Sequence, residues 1–224
     1  MKTKVLLAVT LLAGMAASAQ AASIVGTKHD LASVGANANA GSIHSTTQNQ
    51  TCVFCHAPHN AVTNKLLWNR NYVAGNTMKI YTSFNSAAMR TALGTANNYL
   101  GDDSSSLLCL SCHSLTTASQ VITNTANTKG GNAGAGVGQW ATTGSMNNLT
   151  NDHPVGIDYA AAVAPSAGGL NAVGSIGTLR LFKSNIANNT MECASCHSVH
   201  DNTNGKFLAI SNNNSALCIA CHIK

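Results

Sequence analysis

The sequence contains few charged and few aromatic side chains. Asp, Glu, Lys and Arg make up 8% of its 224 residues, and Phe, Trp and Tyr make up 4%. Both fractions are low for a globular domain. So few aromatic residues cannot fill a large protein core, and we therefore expect another kind of group to occupy the interior. The sequence has no cluster of Lys and Arg, which argues against a nucleic-acid-binding protein.

Long apolar runs are also absent, except at the start of the chain. Two lysines precede an apolar run at 5–17, and small residues follow around 19–22. This arrangement is typical of a secretory signal peptide, because the run is too short to span a bilayer. We expect a signal peptide at 1–21, a single domain at 22–224, and an exported protein without a membrane span. An uncleaved anchor is the alternative.

The cysteines indicate the class of protein. All eight occur in C-x-x-C pairs, and a histidine directly follows every pair: CVFCH, CLSCH, CASCH and CIACH. C-x-x-C-H is the attachment sequence of c-type haem, in which two thioethers hold the porphyrin and the histidine binds its iron. The pattern predicts four covalent haems, held by Cys52, Cys55, Cys109, Cys112, Cys193, Cys196, Cys218 and Cys221.

Other roles of paired cysteines explain the sequence less well. Structural zinc sites use C-x-x-C pairs but do not require a histidine after each one. Disulfides are plausible in an exported protein, yet they leave the four histidines unexplained. A thioredoxin-like motif requires a βαβ unit, and we find no such pattern. Four haems would also supply the large apolar groups that the chain lacks.

The histidine count matches four haems with two axial histidines each. The histidines that follow the cysteine pairs are the expected proximal ligands: His56, His113, His197 and His222. Five histidines remain for four distal positions: His59, His153, His200, and either His29 or His44. A methionine is an alternative ligand that would raise the potential, and the candidates are Met78, Met89, Met146 and Met191.

Two histidines lie three residues after a proximal ligand. His59 follows His56 in CVFCHAPHN, and His200 follows His197 in CASCHSVHD. Three residues of chain cannot pass around the edge of a porphyrin, so neither side chain can bind the second face of its own haem. We expect each to bind the iron of a different haem and thereby to link two haems. A solvated surface histidine is the alternative at each position.

The fold expected from these features is a multihaem cytochrome c domain. It should be mostly coil with short helices and few strands, with its core built around four haems that lie close together. No Pro/Gly-rich linker divides the chain. The segment 173–182 (VGSIGTLRLF) is compatible with a strand pair, and we expect the last motif on a short helix.

Two histidines on every iron leave no open coordination position for a substrate. The sequence therefore favours an electron carrier over an enzyme. A multihaem reductase would need one iron with a vacant or water-filled position. A soluble electron shuttle in the periplasm is a further alternative.

Seven segments occur in the same order in a known family: TKHDL, CVFCHAPHN, LLWNR, LLCLSCH, DHPVG, ECASCHSVHD and SALCIACH. They resemble the OmcE-type outer-surface tetrahaem cytochromes of metal-reducing bacteria, over nearly all of the mature chain. The resemblance implies bis-His haems and head-to-tail polymerisation into an extracellular filament with a continuous line of haems. One axial histidine would come from the neighbouring protomer.

The resemblance also implies partners and one more ligand. Upstream periplasmic or outer-membrane cytochromes would supply electrons, and extracellular acceptors such as metal oxides would receive them. The KHDL match favours His29 over His44 as the fourth distal ligand. Whether the ligand that bridges subunits is His29 or another histidine stays open.

Overall fold

The computed structural model describes residues 24–32, 48–57, 59, 61, 66–69, 79–81, 91–94, 100–113, 149–150, 152–166 and 168–224. The expected signal peptide at 1–21 lies outside these residues, and so do His44, Met78, Met89 and Met146. The single domain at 22–224 stays a prediction. Among the described residues, no helix is long and apolar enough to cross a membrane.

In the part of the chain that the structure describes, regular structure is sparse and short. The helices are α1 (Ser106–His113), α2 (Tyr159–Val163), α3 (Cys193–Cys196) and α4 (Ala216–Cys221), and turns of 3-10 helix occupy Thr51–Phe54, Ala164–Ser166, Val173–Ser175 and Asn213–Ser215. Strands β1 (Ile157–Asp158) and β2 (Thr190–Met191) are antiparallel, with Ile157 opposite Met191. The expectation of a mostly coiled chain with short helices and few strands is confirmed.

The strand pair expected at 173–182 is wrong. Val173–Ser175 is a turn of 3-10 helix, and within that segment Phe182 makes an isolated bridge to Thr190. Gly177 has a φ of +69°, a conformation that glycine adopts freely but that interrupts an extended strand. The apolar side chains of the segment instead enter the core at Ile176 and Leu179.

All four C-x-x-C-H motifs lie on helical turns. The first starts in the turn at Thr51–Phe54, and the others lie on α1, α3 and α4. Residues three apart on a helix share one face, so this backbone brings the two sulfur atoms of each motif to the same side. The expected short helix under the last motif is therefore present.

Three small apolar clusters border the motifs. The largest joins β1, β2, α2 and α4 and contains Leu93, Ile157, Tyr159, Ala162, Ile176, Leu179, Met191 and Cys221. A second, of Ala32, Val53 and Phe54, packs against Cys55. The third includes Leu107 and Leu110 of α1. Met191, considered above as a ligand, is a buried core residue of β2.

Candidate haem-binding sites

The first and third motifs have the same backbone frame. The amide of each motif histidine donates to the carbonyl of the first cysteine, from His56 to Cys52 at 2.8 Å and from His197 to Cys193 at 3.0 Å. The chain then returns antiparallel to the motif. His56 bridges to Trp68, and His197 bridges to Leu208.

Two consecutive residues of positive φ form the return in both places. They are Leu66 and Leu67 after the first motif, with φ of 53° and 52°, and Lys206 and Phe207 after the third, with φ of 50° and 55°. The second carbonyl of each pair accepts the amide after the motif histidine, Ala57 N at 2.8 Å and Ser198 N at 2.7 Å. These hydrogen bonds stabilise a conformation that ordinary residues adopt at a cost.

The first carbonyl of each pair faces the motif histidine. Nδ1 of His56 lies 2.6 Å from the carbonyl oxygen of Leu66, and Nδ1 of His197 lies 3.1 Å from that of Lys206. A carbonyl oxygen only accepts, so Nδ1 carries the proton and Nε2 keeps its lone pair. This is the arrangement that a histidine needs to bind a metal through Nε2.

The fourth motif uses a related bridge. His222 bridges to Leu170, and the amide of Asn171 donates to the Cys221 carbonyl at 2.8 Å. The partner segment here precedes the motif in the chain. In the second motif, α1 continues as far as His113.

The structure pairs three proximal histidines with three of the expected distal ones. The pairs and the distances between their ring centres are His29–His113 at 6.2 Å, His56–His200 at 6.1 Å and His153–His222 at 6.2 Å. Metal–imidazole nitrogen distances are about 2.0–2.1 Å, so two imidazoles on opposite sides of one iron have ring centres roughly 6.2 Å apart. The side chains present therefore fit axial ligation of haem iron.

The ring planes differ between the pairs. They cross at 81° in His29–His113 and at 82° in His153–His222. In His56–His200 they lie within 22° of parallel.

The fourth expected distal ligand, His59, has an exposed side chain.

A cavity adjoins the fourth motif. Its volume is about 820 Å³, and it is lined by His153, Cys218, Cys221 and His222 together with apolar residues of the largest cluster. This volume lies within the range of roughly 300–1,000 Å³ that is usual for small-molecule and cofactor sites. The cavity therefore offers a mostly apolar site that fits a covalent haem, with both cysteines of the fourth motif, Cys196 of the third and a histidine pair at its wall.

Burial lowers the pKa of three of the paired histidines. It lowers the pKa of His29 to about 4, and the neighbouring His113, His197 and His200 lower it further by repulsion. Phe207 stacks on the His29 ring with centres 4.3 Å apart. Burial also lowers the pKa of His113 and of His153. An imidazole must be unprotonated to bind iron, so these environments favour the ligating form.

The second and third motifs lie beside each other. The neighbouring Cys193, together with burial, raises the pKa of the Cys109 thiol. The amide of Cys193 also donates to Oγ of Ser106 at 3.0 Å. Helices α1 and α3 therefore hold two haem attachment points side by side.

Sequence reasoning did not identify several residues that shape these sites. They are Trp68, which bridges to His56, Phe207, which stacks on His29, and the buried Glu192 with its partners Ser104 and Ser106. One available signal was that Glu192, in a chain of low charge, directly precedes a cysteine pair. The contacts of the other residues depend on long-range packing and leave no pattern in the sequence.

Residues 186–224 match a protein-family model described as a doubled CXXCH motif. This segment contains the third and fourth motifs. A search of curated proteins gives no match to the chain. The paired motifs indicate covalently bound haem c and a multihaem c-type cytochrome, with electron transfer as the class of function.

Proposed function

We propose that the chain is a tetrahaem electron carrier in which two histidines bind every iron. The observation that carries this proposal is the set of three histidine pairs with ring centres 6.1–6.2 Å apart. Each pair joins a motif histidine to a histidine expected as a distal ligand. Six-coordinate iron has no position for a substrate, so this ligand set favours electron transfer over catalysis.

From these pairs we propose ligands for individual haems. His200 serves the haem of Cys52 and Cys55, His29 serves the haem of Cys109 and Cys112, and His153 serves the haem of Cys218 and Cys221. The remaining haem, on Cys193 and Cys196, takes His59. This last assignment is supported by the frame that the first and third motifs share, because His59 and His200 occupy equivalent places in it.

Bound haem c supplies an Fe(III)/Fe(II) couple that accepts and returns one electron. The protein residues orient and tune it. Carbonyls at Leu66 and Lys206 fix the proton on Nδ1 of His56 and His197, which orients each ring and increases the basicity of Nε2. The hydrogen bond from the Cys193 amide to the Ser106 hydroxyl of α1 supports a close approach of the second and third redox centres.

The wider role we propose is extracellular electron transfer by a filament. The resemblance to OmcE-type cytochromes supports head-to-tail polymerisation, export to the cell surface and delivery of electrons to extracellular acceptors. The low charge content of the chain, 8%, limits repulsion between identical subunits. A contact between two different surfaces of one protein that does not close into a ring produces a filament.

Haem content and electron paramagnetic resonance test the ligand set. The mass of the native protein and its haem absorbance should give four haems per chain. In the oxidised protein, two haems should show the strongly anisotropic low-spin signal of crossed imidazole planes, and at least one should show the rhombic signal of nearly parallel planes. A high-spin signal, or carbon monoxide binding to the reduced protein, would indicate an open iron and a reductase.

Electron micrographs of the native protein test the filament. Filaments on cells or in the purified protein are expected, whereas a uniform monomer at all concentrations would indicate the soluble shuttle. The variant His29→Ala tests where its ligand acts. If His29 binds within the chain, the variant should have one high-spin haem and still form filaments, whereas a bridging His29 would leave haem loading nearly normal and abolish filaments. His44→Ala is the matched control and should change neither property.

A further inference from the structure

Glu192 is a buried acidic residue between two haem attachment sites. Its exposed fraction is 1%. It directly precedes Cys193 at the start of α3, and its side chain reaches the segment that opens α1, where the second motif lies. Acidic side chains are rarely buried to this extent unless they are paired.

The two carboxylate oxygens of Glu192 have different environments. Oε2 accepts hydrogen bonds from the Ser104 hydroxyl at 2.6 Å, the Ser106 hydroxyl at 2.5 Å and the Ser106 amide at 3.2 Å. Oε1 is buried and has no hydrogen-bond partner among the residues that the structure describes. A proton on Oε1 would therefore leave every bond to Oε2 in place.

The groups that face Glu192 favour its protonated form. Desolvation raises the pKa of Glu192, and repulsion from Asp103 raises it further, while the bonds from Ser104 and Ser106 oppose this shift. In the described part of the chain, no cation contributes to its pKa. The other titratable groups against it are the thiols of Cys109 and Cys193, and thioether formation removes both from titration.

The segment that contacts Glu192 lies next to the surface. Ser104 donates to the carboxylate, and the preceding residue, Asp103, is half-buried. A carboxylate oxygen of Asp103 accepts a hydrogen bond from the amide of Asn185, which is exposed. Solvent therefore lies close in sequence and in space to the residues that contact Glu192.

We propose that Glu192 is a proton-binding site coupled to reduction of the second and third haems. This inference rests on the proposed function, because it needs haem at Cys109, Cys112, Cys193 and Cys196. One electron from an external one-electron donor reduces Fe(III) to Fe(II), and one proton from water binds Oε1. Oxidation returns the electron to an acceptor and the proton to water.

The coupling has a definite sign. An added electron makes a nearby iron site more negative and so favours the protonated carboxyl. The midpoint potential of the coupled haems therefore falls as the pH rises through the range in which Glu192 ionises. A tenfold gain in proton affinity on reduction corresponds to about 59 mV for a one-electron couple.

Spectroelectrochemical titration of the intact holoprotein at several pH values measures this coupling. Glu192→Gln keeps the size of the side chain and removes the proton site, so it should flatten the pH dependence of one or two of the four potentials. Haem propionates titrate in both proteins and cancel in the comparison. Asp102→Asn, at an exposed acidic position in the same segment, is the matched control and should match the wild type.

Two further measurements decide the matter if Glu192→Gln folds poorly. Ser104→Ala removes a donor to the ionised form, so the pH-dependent range should move upwards. Redox-difference infrared spectra of the wild type should show the carbonyl stretch of a carboxylic acid growing on reduction. Unchanged pH dependence in the variants, or no such band, would overturn the proposal. A haem count below four would instead contradict the proposed function.

Discussion

The first and third motifs share a backbone frame but sit in different surroundings. Both use a pair of residues with positive φ and a carbonyl on Nδ1 of the motif histidine. The residue before the helical turn differs: Gln50 makes no side-chain cap at the first motif, whereas Glu192 is buried at the third. The frame fixes the orientation of the motif histidine. The residues around the frame determine whether another titratable group, such as Glu192, lies next to the motif.

The largest effect is expected from the two histidines that follow the motif histidines of these frames by three residues. His200→Ala should convert the haem on Cys52 and Cys55 to a high-spin state, because its ring faces His56 at 6.1 Å. His59→Ala should do the same to the haem on Cys193 and Cys196. Each variant should keep four haems by mass while one gains carbon monoxide binding. A high-spin haem on the same motif as the mutated histidine would contradict the proposal that each of these histidines binds the haem of the other motif.

A smaller effect is expected where the frames differ by one side chain. Asn69 in the frame of the first motif corresponds to Ala209 in the frame of the third. Their amides donate to the carbonyls of Cys55 and Cys196, respectively. Asn69→Ala removes the 2.7 Å hydrogen bond to the buried Val53 carbonyl and should lower the free energy of unfolding by about 1–3 kcal/mol. Guanidinium titration of the holoprotein measures it.

The third unit offers the matched control for this variant. Asn204 also donates from Nδ2 to a backbone carbonyl, that of Leu208 at 3.0 Å, but the bond is exposed. Water replaces an exposed partner at little cost, so Asn204→Ala should change the free energy of unfolding by less than about 0.5 kcal/mol. Equal losses of stability in the two variants would show that burial does not determine how much each asparagine hydrogen bond contributes.

Trp68 bridges to the motif histidine in the first frame, and Leu208 does so in the third. Replacing Trp68 with leucine should lower the free energy of unfolding somewhat less than Asn69→Ala does. Trp68 donates from Nε1 to the Ser111 hydroxyl at 3.2 Å and is half-buried. Trp68→Leu loses that bond and part of the packing, an expected destabilisation of about 1–2 kcal/mol by thermal or chemical unfolding. Trp68→Phe retains a ring and should lose less. A loss as large in Trp68→Phe would assign the effect to the hydrogen bond.

The smallest effect on stability is expected from a glycine in the positive-φ turn that the frames of the first and third motifs share. Lys206 is exposed and has a φ of 50°. Lys206→Gly relieves that strain but loosens the unfolded chain, so the stability should change by less than about 1 kcal/mol. Lys206→Val places a β-branched residue in the same conformation and should destabilise by about 1–2 kcal/mol. A neutral valine variant would mean that the positive φ does not constrain this turn.

The comparison also shows how far sequence reasoning reaches. Sequence reasoning placed the last motif on a short helix, which α4 (Ala216–Cys221) confirms. It also predicted a coil-rich chain. It was wrong at 173–182, where the segment VGSIGTLRLF was compatible with a strand pair. Gly177 breaks the extended backbone there, and Thr190 pairs with both Asp158 and Phe182.

Counting separated the histidines into classes but did not pair them. Nothing in the spacing of His29 or His153 indicates which motif it faces, because each lies at least 69 residues from its partner, as 222 minus 153 shows. Packing of the apolar clusters brings these segments together. Sequence reasoning overlooked Glu192 for the same reason, since its partners Ser104 and Ser106 belong to another motif's segment.

The sequence by itself determined the attachment chemistry: eight cysteines at fixed spacing, four adjacent histidines, and enough further histidines for a second ligand on every iron. These are local demands of a rigid porphyrin, so they are written in short motifs. Only the tertiary structure decided that His200 faces His56, that Cys193 bonds to Ser106 of α1, and that Glu192 is buried between two motifs. Those relations depend on which distant segments pack together, and packing is set by the whole chain.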